Sequence, residues 1–143
     1  MLGLKSGQVL KIFLNNAFPV PLLKIGSAIR CLDLNSNRHK LAVVDENNDL
    51  LVYTVPEAEL QYKESNANSV AWNTSSEDML CFSGNDTLNI KAGNFPTHQQ
   101  KLQGFVVGFS GSKIFCLHVY SMSTIEVPQS APMYQYLDQS KCM

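Results

Sequence analysis

The sequence is poor in charge: acidic and basic residues make up 16% of the 143 residues, and their formal sum is −1. So small a net charge gives no electrostatic attraction to nucleic acid or to an anionic membrane, and we expect neither as a partner. Long apolar runs are also missing, because Lys5, Gly7 and Lys11 interrupt the N-terminal segment and no window reaches the ~18 apolar residues of a membrane-spanning helix. We therefore expect no direct membrane insertion, and a chain in the cytosol or a compartment continuous with it.

Motifs that hold cofactors are absent as well. The sequence has no glycine-rich phosphate-binding loop, and its four cysteines form no CxxC pair: Cys31, Cys81, Cys116 and Cys142. In a reducing compartment we interpret them as buried thiols plus one thiol near the C-terminus. With 45% hydrophobic residues, the chain has enough apolar side chains for a folded core, and its length is that of one domain. No cofactor is expected.

What the sequence does contain is a repeat with a period of 38 residues. An ungapped shift by that period superimposes apolar positions of one copy on those of the next: Leu32 on Val70, Leu34 on Trp72, Leu41 on Met79, Val43 on Cys81, Leu50 on Leu88 and Val52 on Ile90. A third, shorter copy places Val107 and Phe109 on Val70 and Trp72, Ile114–Leu117 on Met79–Phe82, and Ile125 and Val127 on Leu88 and Ile90.

Each copy predicts three apolar β-strands separated by turns rich in Asn, Asp, Gly and Ser. A more polar fourth strand follows each set and is typical of a sheet edge: Pro21–Lys24, Glu59–Lys63 and Gln99–Gln103. Four antiparallel strands per ~40 residues are typical of the blades of a WD-type β-propeller, although the Trp-Asp and Gly-His dipeptides of strong WD repeats are absent. Because Ser6–Phe13 also predicts a strand of a preceding copy, we expect an all-β partial propeller of about three blades plus part of a fourth.

Two groups of residues contain side chains of the kinds that bind metal ions or act as nucleophiles. Asp45–Asp49 begins like a calcium-binding loop, but Leu50 and Pro56 stand where that loop needs Gly and Glu, so we interpret it as a polar turn. Cys116 and His118 share one strand face, and the repeat makes Cys81 equivalent to Cys116. This leaves open a small metal or thiol site, for which further ligands or a base would be needed. The alternative is that both thiols fill a repeated core position.

Other candidates have simpler interpretations. His39 and His98 lie in polar connections, Asp33, Asp45, Asp49 and Glu126 are scattered, and Gly108–Ser112 lacks the second glycine of a nucleophile elbow and predicts a tight turn. Trp72, the single tryptophan, is predicted to lie in the core. Phe95–His98 and Tyr134–Tyr136 are the candidate contact loops. We therefore assign no catalytic, cofactor-binding or metal-binding residue.

The C-terminal segment departs from the repeat. Pro128–Pro132 interrupts it, and Met133–Asp138 is compatible with the start of a short helix. We expect residues 1–127 to form the partial propeller and residues 128–143 to form a linker and truncated tail.

Several segments closely resemble a known family: NANSVAWN (Asn66–Asn73), EDMLCFSG (Glu77–Gly84), QKLQGFVVG (Gln100–Gly108), GSKIFCLH (Gly111–His118) and Val127–Asp138, with Leu41–Asn47 and Gly3–Gln8. They are similar to intraflagellar transport protein 122, the WD-repeat subunit of intraflagellar transport complex A. The resemblance spans about residues 3 to 138. It implies later blades of the second of two propellers, which precede a helical solenoid.

The resemblance also implies a function and a set of partners. It implies a non-enzymatic scaffold in retrograde ciliary transport, membrane-protein trafficking and cilium assembly, located at the cilium, the basal body and in the cytoplasm. The implied partners are other subunits of complex A and the remaining blades of the propeller. Because Gln139–Met143 does not resemble the solenoid and three blades cannot close a ring, we expect a fragment or truncated product with exposed apolar flanks. A non-functional truncation, or a closed β domain binding a small ligand, are the alternatives.

Overall fold

The computed structural model describes residues 1–11, 18–93, 95–118 and 121–126, and these residues form four antiparallel sheets in chain order. The first sheet contains β1 (Leu2–Gly3), β2 (Gln8–Lys11) and β3 (Val20–Lys24). The second contains β4 (Ile29–Leu34), β5 (Lys40–Asp45), β6 (Leu50–Thr54) and β7 (Leu60–Glu64). The third contains β8 (Ser69–Trp72), β9 (Met79–Gly84), β10 (Thr87–Ala92) and β11 (His98–Lys101), and the fourth contains β12 (Phe105–Ser110), β13 (Lys113–His118) and β14 (Ser121–Glu126).

Each sheet is a meander in which consecutive strands are neighbours, as in a propeller blade. The first strands of successive sheets lie against each other, and a bridge joins Asn73 to Phe109. The polar strands β3, β7 and β11 are each the last strand of their sheet, which confirms the predicted edge strands. The predicted N-terminal strand is present as β2, whereas the two-residue strand β1 was not predicted. The described part contains two complete four-stranded blades flanked by two three-stranded ones.

Turn residues explain why the hairpins close where they do. Between β9 and β10 the chain reverses over Asn85 and Asp86, whose φ angles of 51° and 59° suit a two-residue turn that matches strand twist. Gly111, with φ 59°, begins the turn between β12 and β13. The predicted tight turn over Gly108–Ser112 is confirmed only for Gly111 and Ser112, because Gly108–Ser110 belong to β12. Both turns occur where short polar residues or glycine tolerate the left-handed region.

Three apolar clusters fill the spaces between successive sheets. Val9 and Ile25 pack with Leu41 and Val43 between the first and second sheets. The second boundary contains Ala42, Val44, Leu50, Val52, Val70, Trp72, Leu80 and Phe82, and the third contains Ala71, Met79, Cys81, Leu88, Ile90, Val106, Phe109, Ile114 and Cys116. The second and third sheets therefore bury both faces, one against the sheet before and one against the sheet after, whereas the first and fourth sheets each have one such boundary among the described residues. The prediction of Trp72 in the core is confirmed, since its side chain is only 4% exposed.

The ungapped repeat is right for the first and third strands of the blade and wrong for the second. Leu34 pairs with Leu41, and Trp72 pairs with Leu80, so Leu41 corresponds to Leu80 and not to Met79. By the same count Val43 corresponds to Phe82 and not to Cys81. Counted between paired residues, the step from Trp72 to Leu80 is one residue longer than the step from Leu34 to Leu41. The step from Ser83 to Leu88 is in turn one residue shorter than the step from Val44 to Leu50, which restores the period at Leu50 and Leu88. A one-residue slip moves a side chain to the opposite face of a strand.

The same kind of slip affects the fourth sheet, where a bulge lies between Val106 and Gly108. As a result Val106, and not Val107, takes the place of Val70. Ile114–Leu117 corresponds to Leu80–Ser83 and not to Met79–Phe82. Ile125 pairs with Ile114 and packs on the cluster toward the third sheet, so the predicted match with Leu88 is also wrong.

Candidate interaction surface

The fourth sheet carries an apolar surface on the side that faces away from the third sheet. On β12 this surface contains Phe105 and Val107, which are 44% and 51% exposed. On β13 it contains Phe115 and Leu117, which are 38% and 43% exposed. We call these four residues the tail face. Contiguous exposed apolar side chains on a folded chain mark an interaction surface or an aggregation hazard.

The equivalents of the two β13 residues in the preceding blades are fully buried. Phe115 corresponds to Cys81 in the third sheet and to Ala42 in the second, and the side chains of both are 0% exposed. Leu117 corresponds in the same way to Ser83, whose exposure is also 0%. In each earlier case the next sheet covers the position. The tail face is thus a blade-packing surface without a covering blade among the described residues.

A second apolar surface lies at the other end, on the first sheet. The turn bonds from Leu4 N to Gln8 O (3.0 Å) and from Asp45 N to Asp49 O (3.1 Å) make Leu4 equivalent to Asp45. Counting back two residues, Leu2 corresponds to Val43, which is 0% exposed, whereas Leu2 itself is 44% exposed. Its cross-strand partner is Leu10. Leu10 is half-buried. We call Leu2 and Leu10 the head face. The expectation of exposed apolar flanks is confirmed by four residues at the tail end of the described part and by Leu2 alone at the head end.

A buried asparagine joins each complete blade to the next one. Asn35 Nδ2 donates to Glu77 O at 2.8 Å, and Asn73 Nδ2 donates to Gly111 O at 2.8 Å. Both side chains are buried, and each acceptor lies in the first hairpin connection of the following blade. Neither residue is among the candidates predicted from the sequence, although the same residue type recurs 38 positions apart, directly after the first strand.

The thiols do not form the site that the sequence left open. Cys81 and Cys116 are 0% and 1% exposed and lie in one apolar cluster between the third and fourth sheets. They approach from opposite sheets, so the predicted repeat equivalence of the two cysteines is wrong. Burial raises the pKa of both thiols, which favours the unreactive protonated form. His118 is half-buried on the face of Cys116. Within the described ranges no three His, Cys, Asp or Glu side chains are grouped to hold a metal ion.

The calcium-like segment is a turn stabilised by its own first carboxylate, as interpreted. Asp45 Oδ1 accepts hydrogen bonds from Asn47 N at 3.0 Å and Asp49 N at 2.9 Å, and Oδ2 accepts one from Ser27 Oγ. Burial raises the pKa of Asp45, but these hydrogen bonds outweigh it and hold the pKa below its ordinary value. Lys63 Nζ lies 3.0 Å from Asp49 Oδ2 and adds a positive charge nearby. The carboxylate of Asp45 therefore has protein partners and serves the turn.

We expect Asp45→Asn to lower the free energy of unfolding at pH 7 by about 1 kcal/mol, because charge-assisted hydrogen bonds to the turn are weakened. A carboxyl with a lowered folded-state pKa stabilises the fold above the unfolded-state value of about 3.9, and this contribution is lost as pH falls through the folded-state pKa. The difference between wild type and variant should therefore shrink between about pH 5 and about pH 2. Urea unfolding at several pH values measures it.

Asp86→Asn is the matched control, since Asp86 occupies an exposed hairpin turn. We expect that substitution to change stability little at any of these pH values. If the free energy of unfolding of wild type exceeds that of Asp45→Asn by the same amount at low and at neutral pH, the role assigned to the carboxylate is wrong.

The remaining sequence candidates lie apart from one another. His39 is exposed in a connection, as predicted. The placement of His98 in a connection is wrong: it is the first residue of β11 and is half-buried, with Nε2 3.3 Å from Gln100 Oε1. Phe95 is 57% exposed, in keeping with a candidate contact loop, whereas Tyr134–Tyr136 and the whole of residues 128–143 lie outside the described residues. Asp33 accepts a hydrogen bond from Trp72 N at 2.8 Å across a blade boundary, and burial raises the pKa of that carboxyl. Trp72 Nε1 is buried, and no described group accepts its hydrogen bond.

One concave surface illustrates the polar character of the grooves between sheets. A groove of about 310 Å³ between the second and third sheets is lined mainly by amide and hydroxyl side chains: Glu64, Ser65, Asn66, Phe82, Asn85, Thr87, Asn89, Thr97 and Gln99. Ligand sites are usually apolar with a few convergent polar groups, and this groove has the opposite character. β1 pairs only with β2 among the described strands, so the alternative of a barrel closed by its first and last strands is wrong. No helix in the described ranges has the length and apolarity needed to cross a membrane.

A match to a protein family and matches to individual relatives agree with each other. The family described as "IFT122 second beta-propeller" matches residues 1–122. The chain is 67% identical over 139 residues to intraflagellar transport protein 122 homolog of Xenopus tropicalis and 68% identical to that of Mus musculus. These matches cover 97% of this chain but only 12% of each relative.

Solved structures agree with the fold. A chain of the mitotic checkpoint complex matches with a TM-score of 0.72 and 16% identity, over 90% of this chain and 45% of that one. The β-propeller domain of Myceliophteria thermophila Cps50 (Swd1) matches with a TM-score of 0.68 and 13% identity, over 88% of this chain and 49% of that domain. At such identities the similarity shows the fold alone, and the fold is that of part of a β-propeller.

Proposed function

Because the chain belongs to the family of intraflagellar transport protein 122, in the region of its second β-propeller, we propose that it is a non-enzymatic scaffold module of intraflagellar transport complex A. The observation that carries the proposal is the 66–68% identity to four homologues of that protein over 97% of the chain. The partners are other subunits of the complex, and the sites of action are the cilium, the basal body and the cytoplasm.

The surfaces of the chain suit a scaffold. The tail and head faces are apolar sheet surfaces, and the equivalents of Phe115, Leu117 and Leu2 are buried between blades, so further propeller blades are the partners that fit them. In the proposed role, residues 1–127 supply the propeller part and residues 128–143 a linker and tail. The processes served are retrograde ciliary transport, trafficking of ciliary membrane proteins and cilium assembly.

Affinity capture from ciliated cells tests the proposal. We expect an epitope-tagged copy of the chain to enrich the other subunits of complex A, quantified by mass spectrometry against an untagged control. A tagged Phe109→Ala chain, which loses a buried side chain at a blade boundary, should enrich them less because binding needs the folded sheets. Absence of these subunits in ciliated cells would reduce the chain to a non-functional truncation.

A further inference from the structure

We propose that the outer part of the boundary between the second and third sheets binds an extended peptide segment of a partner protein, and that this segment carries one acidic side chain. Two neighbouring grooves form the site, one around Asn89 and one around Lys91, and we call them together the outer cleft. The inference goes beyond the proposed function, because the chemistry of the cleft selects the peptide whichever assembly contains the chain.

The third sheet departs from the packing pattern of the blades at this place. On the third strand of the second sheet, Leu51 and Tyr53 face the first sheet and pack on the cluster at that boundary. The equivalent residues of the third sheet, 38 positions further along, are Asn89 and Lys91. Two packing positions have thus become an amide and a positive charge. Residues that break the local pattern of a fold are often those that serve binding.

The groove around Asn89 suits a peptide backbone. It is the polar groove of about 310 Å³ described above, and Asn89 lies in it between its cross-strand neighbours Phe82 and Gln99. Two strands therefore present an amide each to the same groove, beside an aromatic ring. A side-chain amide offers N–H donors and a carbonyl acceptor, which complement the two polar groups of a peptide unit. Asn89 is only 5% exposed, so the sheet holds its amide in place before a ligand arrives.

The groove around Lys91 carries the positive charge. It encloses about 400 Å³ and is lined by Lys40, Gln61, Tyr62, Asp78, Lys91 and Gly93. Two lysines against one aspartate leave an excess of one positive charge, in a chain whose net charge is −1. Lys91 Nζ lies 4.9 Å from the centre of the Tyr62 ring, a cation–π contact that positions the ammonium and leaves its N–H donors for an anion.

The second lysine of this groove is held by a carboxylate that a ligand can replace. Lys40 Nζ forms an ion pair with Asp78 Oδ1, and the two side chains are 33% and 54% exposed. Ion pairs that are open to water contribute little free energy, so exchange of one carboxylate for another is inexpensive. An acidic side chain of a peptide that enters this groove therefore meets one positioned ammonium and a second one that is available.

The spacing of the two grooves matches alternate side chains of an extended peptide. Asn89 and Lys91 are two residues apart on β10, and Glu64 and Tyr62 are two residues apart on β7 across the cleft. Both pairs are thus about 7 Å apart, which is also the repeat of side chains on one face of an extended ligand. Glu64 lines the groove around Asn89 and disfavours a second acid there. The cleft therefore fits an acidic side chain followed, two residues away, by a hydroxyl or an amide.

Nuclear magnetic resonance titration of the ¹⁵N-labelled 143-residue chain tests the proposal, with the acetylated and amidated hexapeptide GSEGSG as the probe. We expect saturable shifts of the backbone amides of residues 62, 64, 89 and 91, with a dissociation constant below about 1 mM. The peptide GSKGSG should produce no saturable shift. Absence of saturation with GSEGSG overturns the proposal. So does sodium phosphate that shifts residue 91 as strongly as the peptide while the peptide leaves residue 89 unshifted, because the site then binds small anions only.

Three charge substitutions give results of opposite sign. Lys91→Gln should weaken peptide binding at least about fivefold, because it removes a charge-assisted hydrogen bond. Asp78→Asn should strengthen binding about threefold, because Lys40 loses its competing carboxylate. Lys113→Gln is the matched control, since Lys113 is exposed on β13 in the fourth sheet, and it should leave the affinity unchanged. Weaker binding by Asp78→Asn, or equal losses for the two lysine variants, would show that the grooves do not bind the acid.

Asn89→Leu separates binding from stability. It restores the residue type of the equivalent position in the second sheet, Leu51, and fills the first groove with an apolar side chain. We expect a free energy of unfolding no lower than that of wild type, together with a loss of peptide affinity of at least about fivefold. Asn47→Leu, in the exposed turn after β5, is the control and should keep the affinity of wild type. If Asn89→Leu binds GSEGSG as wild type does, the first groove takes no part and the extended peptide is the wrong ligand.

Discussion

Replacing Phe109 by alanine should lower the free energy of unfolding by about 4 kcal/mol, the largest effect we expect from one substitution in this chain. The Phe109 side chain is 2% exposed and lies in the cluster between the third and fourth sheets, beside Ile114 and Val106. Truncation removes the transfer free energy of the ring and leaves a cavity between two sheets that are held apart by their other side chains. Chemical denaturation followed by circular dichroism measures the change.

Phe95→Ala is the control for this experiment. Phe95 is 57% exposed in a connection, so the same chemical change removes little buried area, and we expect a loss below about 0.5 kcal/mol. Equal losses for the two variants would mean that Phe109 does not occupy the boundary core. Loss of the fourth sheet alone, seen as early hydrogen exchange in residues 105–118 with the second sheet still protected, would locate the effect at the predicted boundary.

The second large effect is expected from Asn73→Asp, at about 3 kcal/mol at neutral pH. The exchange keeps the size of the side chain but removes the NH₂ donor that binds Gly111 O, and it places a buried carboxylate against that carbonyl oxygen. Asn73 is 1% exposed, so water cannot replace the lost partner. Burial and the facing oxygen should raise the pKa of the introduced carboxyl, so that protonation restores part of the stability as pH falls toward about 4.

Asn35→Asp should behave in the same way, because Asn35 makes the equivalent bond to Glu77 O. Asn47→Asp is the control, since Asn47 is exposed in the turn after β5. Urea unfolding of the three variants at pH 7 and at pH 4 distinguishes the cases. A loss at Asn73 that does not diminish with falling pH, or an equal loss at Asn47, would contradict the role of the buried amide as the link between blades.

The repeat in the sequence predicts which segments are strands, which of them are edges and how many sheets they form. Leu34 matches Trp72 at 38 residues because both lie on the first strand of a blade. Leu50 matches Leu88 because both lie on the third strand. These two strands keep the same register in successive sheets. The middle strand could not be placed by the period. Its register depends on the lengths of two connections, and an error of one residue exchanges its two faces.

The existence of an exposed apolar surface could be predicted from the sequence, but its residues could not. Exposed apolar flanks follow from the count of blades, but the residues that form them do not. Val107 is exposed and Val106 is buried because of a bulge, which hydrophobicity alone does not reveal since both are valines. The two asparagine links, by contrast, recur at a fixed spacing. They were missed because a polar residue after a strand is expected in any turn, and only the following blade shows what it binds.

The paired length changes around β9 bear on how a repeat protein evolves. Counted between paired residues and compared with the preceding blade, β9 has one more residue in the step before it and one fewer in the step after it, so the neighbouring strands keep their places. The change nevertheless turns the strand over: side chains that would face the preceding blade face the following one, and the reverse. A gene can thus exchange the two faces of a strand through two small insertions and deletions in surface loops. Sequence divergence between blades then reflects shifts in register as well as substitution, and identity counted column by column understates how similar two blades remain.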